Sequence, residues 1–454
     1  GKVPDEWKMA NVVPLFKKGD RSLPINHRPV SLTSILCKSL EHIVASNIMD
    51  HLDRSDILVD IQHAFRKFRS CETQLLQTVN DFAQILNRGG QADVAVLDFS
   101  KAFDKVDHKL LLYKLDYYGI RNCYLSWMES FLTGRTQKVV VDGYSSSVIN
   151  VTSGVPQGTV MGPILFIMFI NDISQKVNSQ VRLFADDCII YREIKDAKDN
   201  EIFQADLYEL EKWADVWKMQ FNVKKCFVMN ITLKKTKILN CDYSMKNEIL
   251  EKTSATVYLG ITLNSRLTWS NQISSMTTKA NRVLNFLKRN LKNCPKSVKE
   301  KAYKTYVRPI MEYGSTVWDN TVQKNIDAIE KVQRRAARFV LNNYQRTASV
   351  SNMIEHLEWN TLQDRRSFTN LVMFYKIRCH LVAIPQTFLP QVLLSCHLSR
   401  NNHYLAYLVP FCRIEAYKQS FVPRTARMWN ILPPNIVSSD SLEVFKDRLT
   451  VHML

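Results

Sequence analysis

Two adjacent aspartates, Asp186 and Asp187, constrain the possible structures of this chain more than any other feature. They stand between the apolar runs 181–184 and 188–191, a pattern that predicts two strands joined by a tight turn. Aspartate is common in turns, so the pair alone would indicate only a turn. Here the flanking runs place acid at the centre of an otherwise buried hairpin, and that position requires a chemical reason.

A third aspartate, Asp98, ends another predicted strand, the apolar run 94–97. Clustered carboxylates repel one another and raise one another's pKa, so a fold that gathers them usually binds a divalent cation. Mg²⁺ prefers hard oxygen ligands and typically takes one or two carboxylates. Two such ions about 3.5–4 Å apart support phosphoryl transfer. The three aspartates therefore predict a magnesium site.

The segment 153–163 is rich in glycine and proline and precedes a predicted apolar helix at 163–173. Glycines let a backbone approach a ligand closely, and proline suits the first turn of a helix. Gln157, in the middle of this segment, offers both a hydrogen-bond donor and an acceptor. The segment is either a ligand-binding loop or a plain connection into the helix.

The remaining patterns indicate an α+β fold, with strands and helices mixed in the first part of the chain and mainly helices beyond about residue 270. Helices are predicted from periodicity, a hairpin from Asp142-Gly143, and one further strand from an apolar run. The predicted helices are 34–49, 74–86, 107–117 and 201–217, the hairpin is 137–152, and the further strand is 258–263.

The charge balance favours a polyanionic partner. The 454 residues carry a net charge of +18, with 46% hydrophobic and 23% charged residues, which excludes disorder as the main state. No apolar run approaches the ~18 residues of a membrane span. Residues 276–346 hold 16 Lys and Arg against 5 Asp and Glu. Either this is a solvated face, or two helices with basic faces bind phosphates. Their basic residues are Arg282, Lys288, Arg289, Lys331, Arg334, Arg335 and Arg338.

The ten cysteines are scattered and form no CxxC pair, so they are interpreted as reduced intracellular thiols. A group of cysteines and histidines near the C-terminus suggests zinc, but its spacing matches no usual ligand pattern. Buried thiols and surface histidines are predicted there instead. The group comprises Cys379, His380, Cys396, His397, His403 and Cys412.

Three segments, LDFSKAFDKV (97–106), SGVPQGTVMGP (153–163) and LFADDCIIY (183–191), resemble motifs A, B and C of a reverse transcriptase palm. The type is that of non-LTR retrotransposons, with jockey-like elements as the nearest relatives. Five further blocks resemble the family in order. They are 7–22, 27–44 and 62–76 (fingers), 212–226 (motif D) and 258–269 (motif E). The likeness continues weakly in 421–436.

The resemblance implies a right-hand polymerase with an added C-terminal extension. Fingers would occupy 1–90, a palm with an antiparallel sheet 91–270, a basic helical thumb 271–345 and a mainly helical extension 346–454. The expected chain is a C-terminal fragment that lacks an upstream endonuclease domain.

The resemblance also implies roles for individual residues. Asp98 and Asp186 would hold two Mg²⁺ ions, with Asp187 in support and Mn²⁺ as a substitute metal. Phe103 falls at the position of a steric gate against a ribose 2′-OH. Its ring also suits the core, and both roles are compatible.

Other family positions concern the nucleotide and the primer. Arg66 would contact the triphosphate. Arg28 matches a basic residue of the preceding block less firmly. Gln157 and Gly158 would support the incoming nucleotide and template. Lys225 would donate a proton to departing pyrophosphate. The primer-grip positions are Leu259 and Gly260.

The implied function is RNA-directed DNA polymerisation, in which a primer 3′-OH attacks the α-phosphate of a dNTP. The expected partners are an RNA template, a DNA primer or target DNA, and dNTPs, with no membrane. The resemblance implies an intracellular, nuclear protein with a cytoplasmic ribonucleoprotein stage, not a secreted one.

Some positions depart from the family pattern. Ala64 and Phe68 stand where glycine is usual, and His27 stands where tyrosine is usual. These departures leave open an inactive remnant that only binds nucleic acid. Two further alternatives are an RNA-templated RNA polymerase and a structural helical protein. The intact aspartates argue against the inactive remnant, and the Phe103 gate argues against the RNA polymerase. The order of the eight blocks argues against the structural helical protein.

Overall fold

The computed structural model describes residues 1–319, 321–393 and 403–453. The strands of this part are β1 (Met9–Phe16), β2 (His27–Leu32), β3 (Gln91–Leu97), β4 (Thr136–Val141), β5 (Tyr144–Ser145), β6 (Ile149–Asn150), β7 (Gln180–Phe184), β8 (Asp187–Glu193), β9 (Phe227–Thr232), β10 (Ser244–Met245), β11 (Glu248–Ile249), β12 (Glu251–Lys252), β13 (Ala255–Tyr258) and β14 (Ile261–Asn264).

Helices lie between these strands and make up most of the chain after β14. They are α1 (Ile35–Arg54), α2 (Cys71–Asn87), α3 (Ala102–Lys105), α4 (His108–Tyr117), α5 (Asn122–Leu132), α6 (Met161–Phe169), α7 (Ala197–Val216), α8 (Ser270–Asn290), α9 (Lys296–Ala302), α10 (Arg308–Glu312), α11 (Ser315–Trp318), α12 (Gln323–Val340), α13 (Val350–His356), α14 (Leu362–Arg378), α15 (Glu415–Lys418), α16 (Phe421–Asn430), α17 (Pro434–Val437) and α18 (Leu442–Met453).

The central sheet has the strand order β12-β9-β3-β8-β7. Strand β3 is antiparallel to both of its neighbours, with Leu97 opposite Cys188 of β8. The side chains of β3 alternate between two hydrophobic clusters, as the pleat of a strand requires. Ala92 and Val94 face one cluster, and Ala95 and Leu97 face the other. The sheet is therefore buried on both faces.

Different helices cover the two faces of the central sheet. The cluster that contains Ala95 and Leu97 gathers apolar side chains from α1, α4, α5, α6 and α7. The cluster that contains Ala92 and Val94 begins at α2 and the hairpin β13–β14 and continues through α8, α12, α14, α16 and α18. Apolar contact thus runs without interruption from the sheet to the C-terminal helices. The proposed division into fingers, palm, thumb and extension stays a prediction.

A second sheet, the N-terminal sheet, has the order β2-β1-β4-β5, with β6 also paired to β4. Strand β1 is antiparallel to β2 and parallel to β4, with Ala10 opposite Gln137. The predicted hairpin at 137–152 is confirmed as β4 with β5 and β6. Its turn, Asp142-Gly143, has φ values of 49° and 86°.

Most predicted helices are confirmed to within a few residues, and the α+β class is confirmed. Local capping explains two of the boundaries. The Ser70 side chain accepts from Thr73 N in a capping box that begins α2, and Asp107 Oδ1 accepts from Lys109 N and Leu110 N to begin α4. The prediction for 163–173 was shifted, because α6 begins at Met161 and ends at Phe169.

The prediction of one strand over 258–263 was wrong. Leu259 and Gly260 form a two-residue turn between β13 and β14, with φ values of 45° and 79°. Positive φ at both central residues is the geometry of a type I′ hairpin. An apolar leucine gave no turn signal, so the run looked continuous.

The Cys and His group near the C-terminus is only partly described, because Cys396 and His397 lie outside the described residues. The nine described cysteines are free thiols. His380 is exposed as predicted. The prediction of a surface position was wrong for His403, which is buried. Its ring is hydrogen-bonded inside the protein, with Nε2 donating to the Trp429 carbonyl oxygen and Nδ1 accepting from Leu405 N. A search of the described helices finds none with the length and apolarity to cross a membrane.

A buried ionic cluster fastens the C-terminal helices to the rest of the molecule. Asp319, which follows α11, accepts from Arg366 Nε of α14 at 2.8 Å and from Arg424 Nη1 of α16 at 3.0 Å. Asn370 Nδ2 donates to the same carboxylate at 3.0 Å. Arg424 belongs to the weakly matching segment 421–436, so this structural contact accounts for one residue of that segment.

We expect Asp319→Ala to lower the free energy of unfolding by about 3–5 kcal/mol, because two buried guanidiniums lose their counter-charge. Chemical denaturation monitored by fluorescence measures this change. Asp116→Ala is the control, because its pair with Arg121 is exposed at 3.3 Å and should contribute about 0–1 kcal/mol. Equal effects of the two substitutions would contradict a stabilising role for the buried cluster.

Candidate active site

The three predicted metal-binding aspartates lie at one end of the central sheet. Ala185 and Asp186 form the turn of the β7–β8 hairpin, and Phe184 pairs with Asp187 across it. Ala185 takes a φ of 52°, which makes the turn tight. Because Leu97 pairs with Cys188, the chain leaving β3 brings Asp98 beside Asp187, about one strand spacing away.

The electrostatics of this end of the sheet reflect crowded negative charge. Loss of hydration raises the pKa of Asp187 to about 6, and repulsion by Asp186 and Asp98 adds to the rise. Burial also raises the pKa of Asp186, with a contribution from Asp98. Lys225 Nζ lies 3.4 Å from Asp98 Oδ2 and offsets part of the charge. The site thus attracts cations.

The residues present fit a divalent ion that completes its coordination with other oxygens. Within the described ranges, no three His, Cys, Asp or Glu side chains converge into a ready-made metal cage. Mg²⁺ does not need one, since it usually keeps waters or substrate phosphates beside one or two carboxylates. Asp98 and Asp186, which interact electrostatically, supply donors of this kind.

The segment 61–64 is hydrogen-bonded to the β7–β8 hairpin, here called the acidic hairpin because it carries Asp186 and Asp187. The sequence did not predict this contact. Gln62 Oε1 accepts from Ala64 N at 2.9 Å and from Ala185 N at 3.0 Å. His63 N donates to Leu183 O, and Leu183 N donates to Ile61 O, both at 2.9 Å. The segment therefore extends the edge of the central sheet and fixes the turn that carries Asp186.

Arg66 is directed into its own loop. Its Nη1 donates to Val59 O at 2.7 Å, and burial together with Arg69 lowers the pKa of its guanidinium. The cations whose charge reaches Asp186 are instead Arg28 and Lys17. Sequence reasoning gave Lys17 no role, although it lies in the basic turn 17–21 that links β1 to β2.

The Gln157 loop, residues 153–162, is held against α3. Gln157 Nε2 donates to Asp104 Oδ1 at 3.1 Å, and Val155 N donates to Phe103 O at 2.7 Å. Gly158 has a φ of 104°, and a Cβ there would lie 2.5 Å from Ser31 O of β2. Only glycine fits this position.

An open cavity of about 330 Å³ lies between the Gln157 loop and the N-terminal sheet. Its lining mixes polar and apolar surface, with Lys101 and Arg135 as cations and Asp104 as the acid. The ring of Phe103 stacks on Phe166 at 4.3 Å and is half-buried. The structure is thus consistent with both roles that the sequence allowed for Phe103.

Tyr313 holds the predicted primer-grip turn, and the sequence carried no signal for it. Its hydroxyl donates to Leu259 O at 2.9 Å. Its ring lies against Gly260, where a Cβ would come within 3.2 Å of Cε1. Glycine is therefore favoured by its φ, and a side chain there would also crowd the Tyr313 ring.

The helices α8 and α12 pack on each other through apolar faces, with most basic side chains outward. Arg335 donates to Asn281 Oδ1 at 2.9 Å yet remains exposed. Arg338 differs, because its guanidinium donates to the carbonyl oxygens of Gln345 and Ala348. Lys288 is half-buried near the Tyr344 ring. The fully exposed residues are Arg282, Arg289, Lys331, Arg334 and Arg335.

Comparison with known proteins identifies the class. Residues 16–263 match the family described as "Reverse transcriptase (RNA-dependent DNA polymerase)". This match spans more than half of the chain, and the chain belongs to the reverse transcriptase family. The resemblance drawn from motifs A, B and C is confirmed.

Within that family the chain is of the non-LTR retrotransposon type. It is 28% identical over 366 residues to the RNA-directed DNA polymerase from mobile element jockey of Drosophila melanogaster, covering 77% of this chain and 40% of the relative. It is also 28% identical over 356 residues to the probable RNA-directed DNA polymerase from transposon BS of the same species, covering 74% of this chain and 38% of the relative. The chain thus spans about two fifths of the length of these curated relatives.

Among solved structures, apo telomerase from Candida tropicalis is similar, with a TM-score of 0.45 and 10% identity. That similarity covers 81% of this chain and 62% of the telomerase chain.

The two departures from glycine have different structural consequences. Phe68 is exposed and takes a φ of 62°, whereas Ala64 is buried and has no positive φ. We expect Phe68→Gly to raise the free energy of unfolding by about 0.5–1 kcal/mol by relieving the left-handed backbone. We expect Ala64→Gly to lower it by about 1 kcal/mol. Denaturant midpoints measure both, and Phe68→Ala, which keeps the Cβ, should gain less than Phe68→Gly. Equal gains in the free energy of unfolding for Phe68→Gly and Phe68→Ala would show that the left-handed backbone at Phe68 is not strained.

His63 should make stability depend on pH. It is buried, its Nδ1 bonds Thr73 Oγ1 at 2.8 Å, and burial together with Arg69 and Arg182 lowers its pKa to about 3. Because the folded pKa lies below the ordinary value near 6.5, stability is complete above that value and falls as the pH drops from about 6.5 towards 3.

We expect the wild type to lose about 1–2 kcal/mol between pH 7 and pH 5 through His63, a loss that His63→Gln should not show. Denaturation curves at the two pH values measure the difference between the proteins. Other titrating groups, including Asp187, contribute equally to both proteins. Equal losses of stability in the wild type and His63→Gln would show that the fold does not hold His63 in its neutral form.

Proposed function

We propose that the chain is the polymerase part of a non-LTR retrotransposon protein and acts as an RNA-directed DNA polymerase. The observation that carries the proposal is the gathering of Asp98, Asp186 and Asp187 at one end of a rigid sheet, within a chain of the reverse transcriptase family. Rigid strand ends suit a reaction that needs carboxylates held in a fixed geometry.

The reverse transcriptase family generally uses divalent metal ions, and two Mg²⁺ ions are the proposed cofactors, with Mn²⁺ as a substitute. Asp98 and Asp186 would hold them, with Asp187 in support. When bound, such ions activate the attacking oxygen and stabilise the leaving one. The protein contributes the carboxylates and a sheet that holds them close together despite their mutual repulsion.

The remaining groups orient the reactants. The Lys225 ammonium, which lies beside Asp98, would give a proton to departing pyrophosphate. Gln157, fixed by Asp104, and the close-packed Gly158 would position the incoming nucleotide. The half-buried Phe103 ring would exclude a ribose 2′-OH. Arg28 and Lys17 would meet the triphosphate, since their charge reaches Asp186.

The proposed partners are an RNA template, a DNA primer or target DNA, and dNTPs. The exposed basic residues of α8 and α12 suit phosphate contacts, which are independent of base sequence. The turn at Leu259 and Gly260 would support the primer end. Work on genomic DNA would place the protein in the nucleus after a cytoplasmic ribonucleoprotein stage.

We expect the full chain to extend oligo(dT) on poly(rA) with dTTP and Mg²⁺, and Asp186→Asn to reduce the rate by at least about 100-fold, because one metal-binding charge is lost. Chelation of divalent ions should stop extension, and added Mg²⁺ should restore it. Product length on denaturing gels measures the rate.

Asp116→Asn is the matched control, because Asp116 is half-exposed on α4 and pairs only with Arg121 at the surface. It should leave the rate unchanged. Folded protein that binds the hybrid but adds no nucleotide would indicate an inactive remnant that only binds nucleic acid. Extension that survives Asp186→Asn would contradict the role of the acidic hairpin.

A further inference from the structure

Glu41 is a fully buried acid for which the proposed mechanism has no use. It lies in the second turn of α1, with no solvent exposure, 120 residues before the start of α6. Leaving an isolated carboxylate in such a place costs free energy unless hydrogen bonds and a counter-charge compensate. Its partners therefore reveal what the residue does.

Both kinds of compensation are present, and one of them is at the Gln157 loop. Glu41 Oε2 accepts from Val160 N at 2.7 Å and from Met161 N at 2.9 Å. The other oxygen, Oε1, accepts from Cys37 Sγ at 3.4 Å. The buried guanidinium of Arg135 attracts the same carboxylate electrostatically.

These two amides belong to the first turn of α6. The first N–H groups of a helix have no partner within the helix, and the residue at the N-cap of α6, Val160, has no side chain that can cap it. A carboxylate at this end satisfies the donors and interacts favourably with the helix dipole. Glu41 thus acts as a cap supplied from a distant helix.

The cap also fixes the end of the Gln157 loop. Gly158, Thr159 and Val160 are consecutive, and Thr159 Oγ1 donates to Pro156 O while accepting from Gly162 N. Ser31 N of β2 donates to Gln157 O at 2.8 Å. The N-terminal part of the chain therefore holds this loop at two points, β2 and Glu41.

We propose that Glu41 is a positioning residue that sets the Gln157 loop for the incoming nucleotide. The inference rests on the proposed polymerase function and deepens it. Because the Glu41 carboxylate accepts hydrogen bonds from the end of the loop and the start of α6, its loss should weaken nucleotide binding more than it slows the chemical step. The acidic hairpin and Lys225 would be untouched.

The test compares Glu41→Ala and Glu41→Gln in the full chain by primer extension on poly(rA)/oligo(dT) at varied dTTP. We expect Glu41→Ala to raise KM for dTTP about tenfold or more, with kcat within about threefold of wild type. Glu41→Gln keeps one acceptor oxygen, so its KM for dTTP should lie between those of the wild type and Glu41→Ala. Val44→Ala, one turn along α1 and also buried, is the control for loss of packing and should leave KM near wild type.

A KM for dTTP that is unchanged in Glu41→Ala, or raised equally in Val44→Ala, would overturn the inference. A fall in kcat at constant KM would do so as well. If Glu41→Ala does not fold, the comparison of Glu41→Gln with Val44→Ala decides by the same criteria.

Hydrogen exchange provides a readout that does not need activity. The amides of residues 158–162 should lose protection in Glu41→Ala, while those of β8 keep it. If the folded wild type extends no primer, the proposed function fails, but exchange still decides about Glu41. Equal protection of residues 158–162 in wild type and Glu41→Ala would show that the carboxylate does not hold the loop.

Discussion

Repulsion among three carboxylates is the constraint on which the rest of this structure depends. Asp98, Asp186 and Asp187 would separate if their backbones were free. Loss of hydration raises the pKa of Asp187 to about 6, and repulsion by Asp186 and Asp98 adds to that rise. The ladder between β3 and β8 prevents separation, because Leu97 and Cys188 are paired immediately beside them. A sheet buried on both faces is rigid enough to sustain this arrangement.

The N-terminal part of the chain completes the site by supporting the backbone. Gln62 holds the turn that carries Asp186, and Glu41 holds the end of the Gln157 loop. Each uses side-chain oxygen to satisfy main-chain amides that have no partner in their own element. Each is buried, so water cannot compete for those amides. The N-terminal part of the chain and the central sheet are therefore joined by hydrogen bonds that shape the site as well as by apolar packing.

The sequence predicted the parts of the site that local pattern encodes. The strands around Asp186, the helices α1, α2 and α7, and the basic faces of α8 and α12 follow from periodicity. The supporting contacts did not follow, because they join distant residues: Gln62 to Ala185 and Tyr313 to Leu259 are 123 and 54 positions apart. A glutamine, a glutamate and a tyrosine in helical or loop patterns look like ordinary surface or core residues. The turn at Leu259 was missed for the same reason, since Tyr313 provides the contact that holds it.

The C-terminal helices also bear on the site. Ala383 N donates to Phe68 O at 2.9 Å, in the loop that carries Arg66, and Gln77 of α2 reaches Ala383 O at 3.5 Å. Phe68 stays in its left-handed conformation partly because this hydrogen bond fixes its carbonyl. The helix α14, which leads to Ala383, is itself anchored through Arg366 to Asp319. A chain of contacts thus connects a buried ion pair to the loop that carries Arg66, and the described residues beyond 346 pack as part of the same fold rather than as a separate unit.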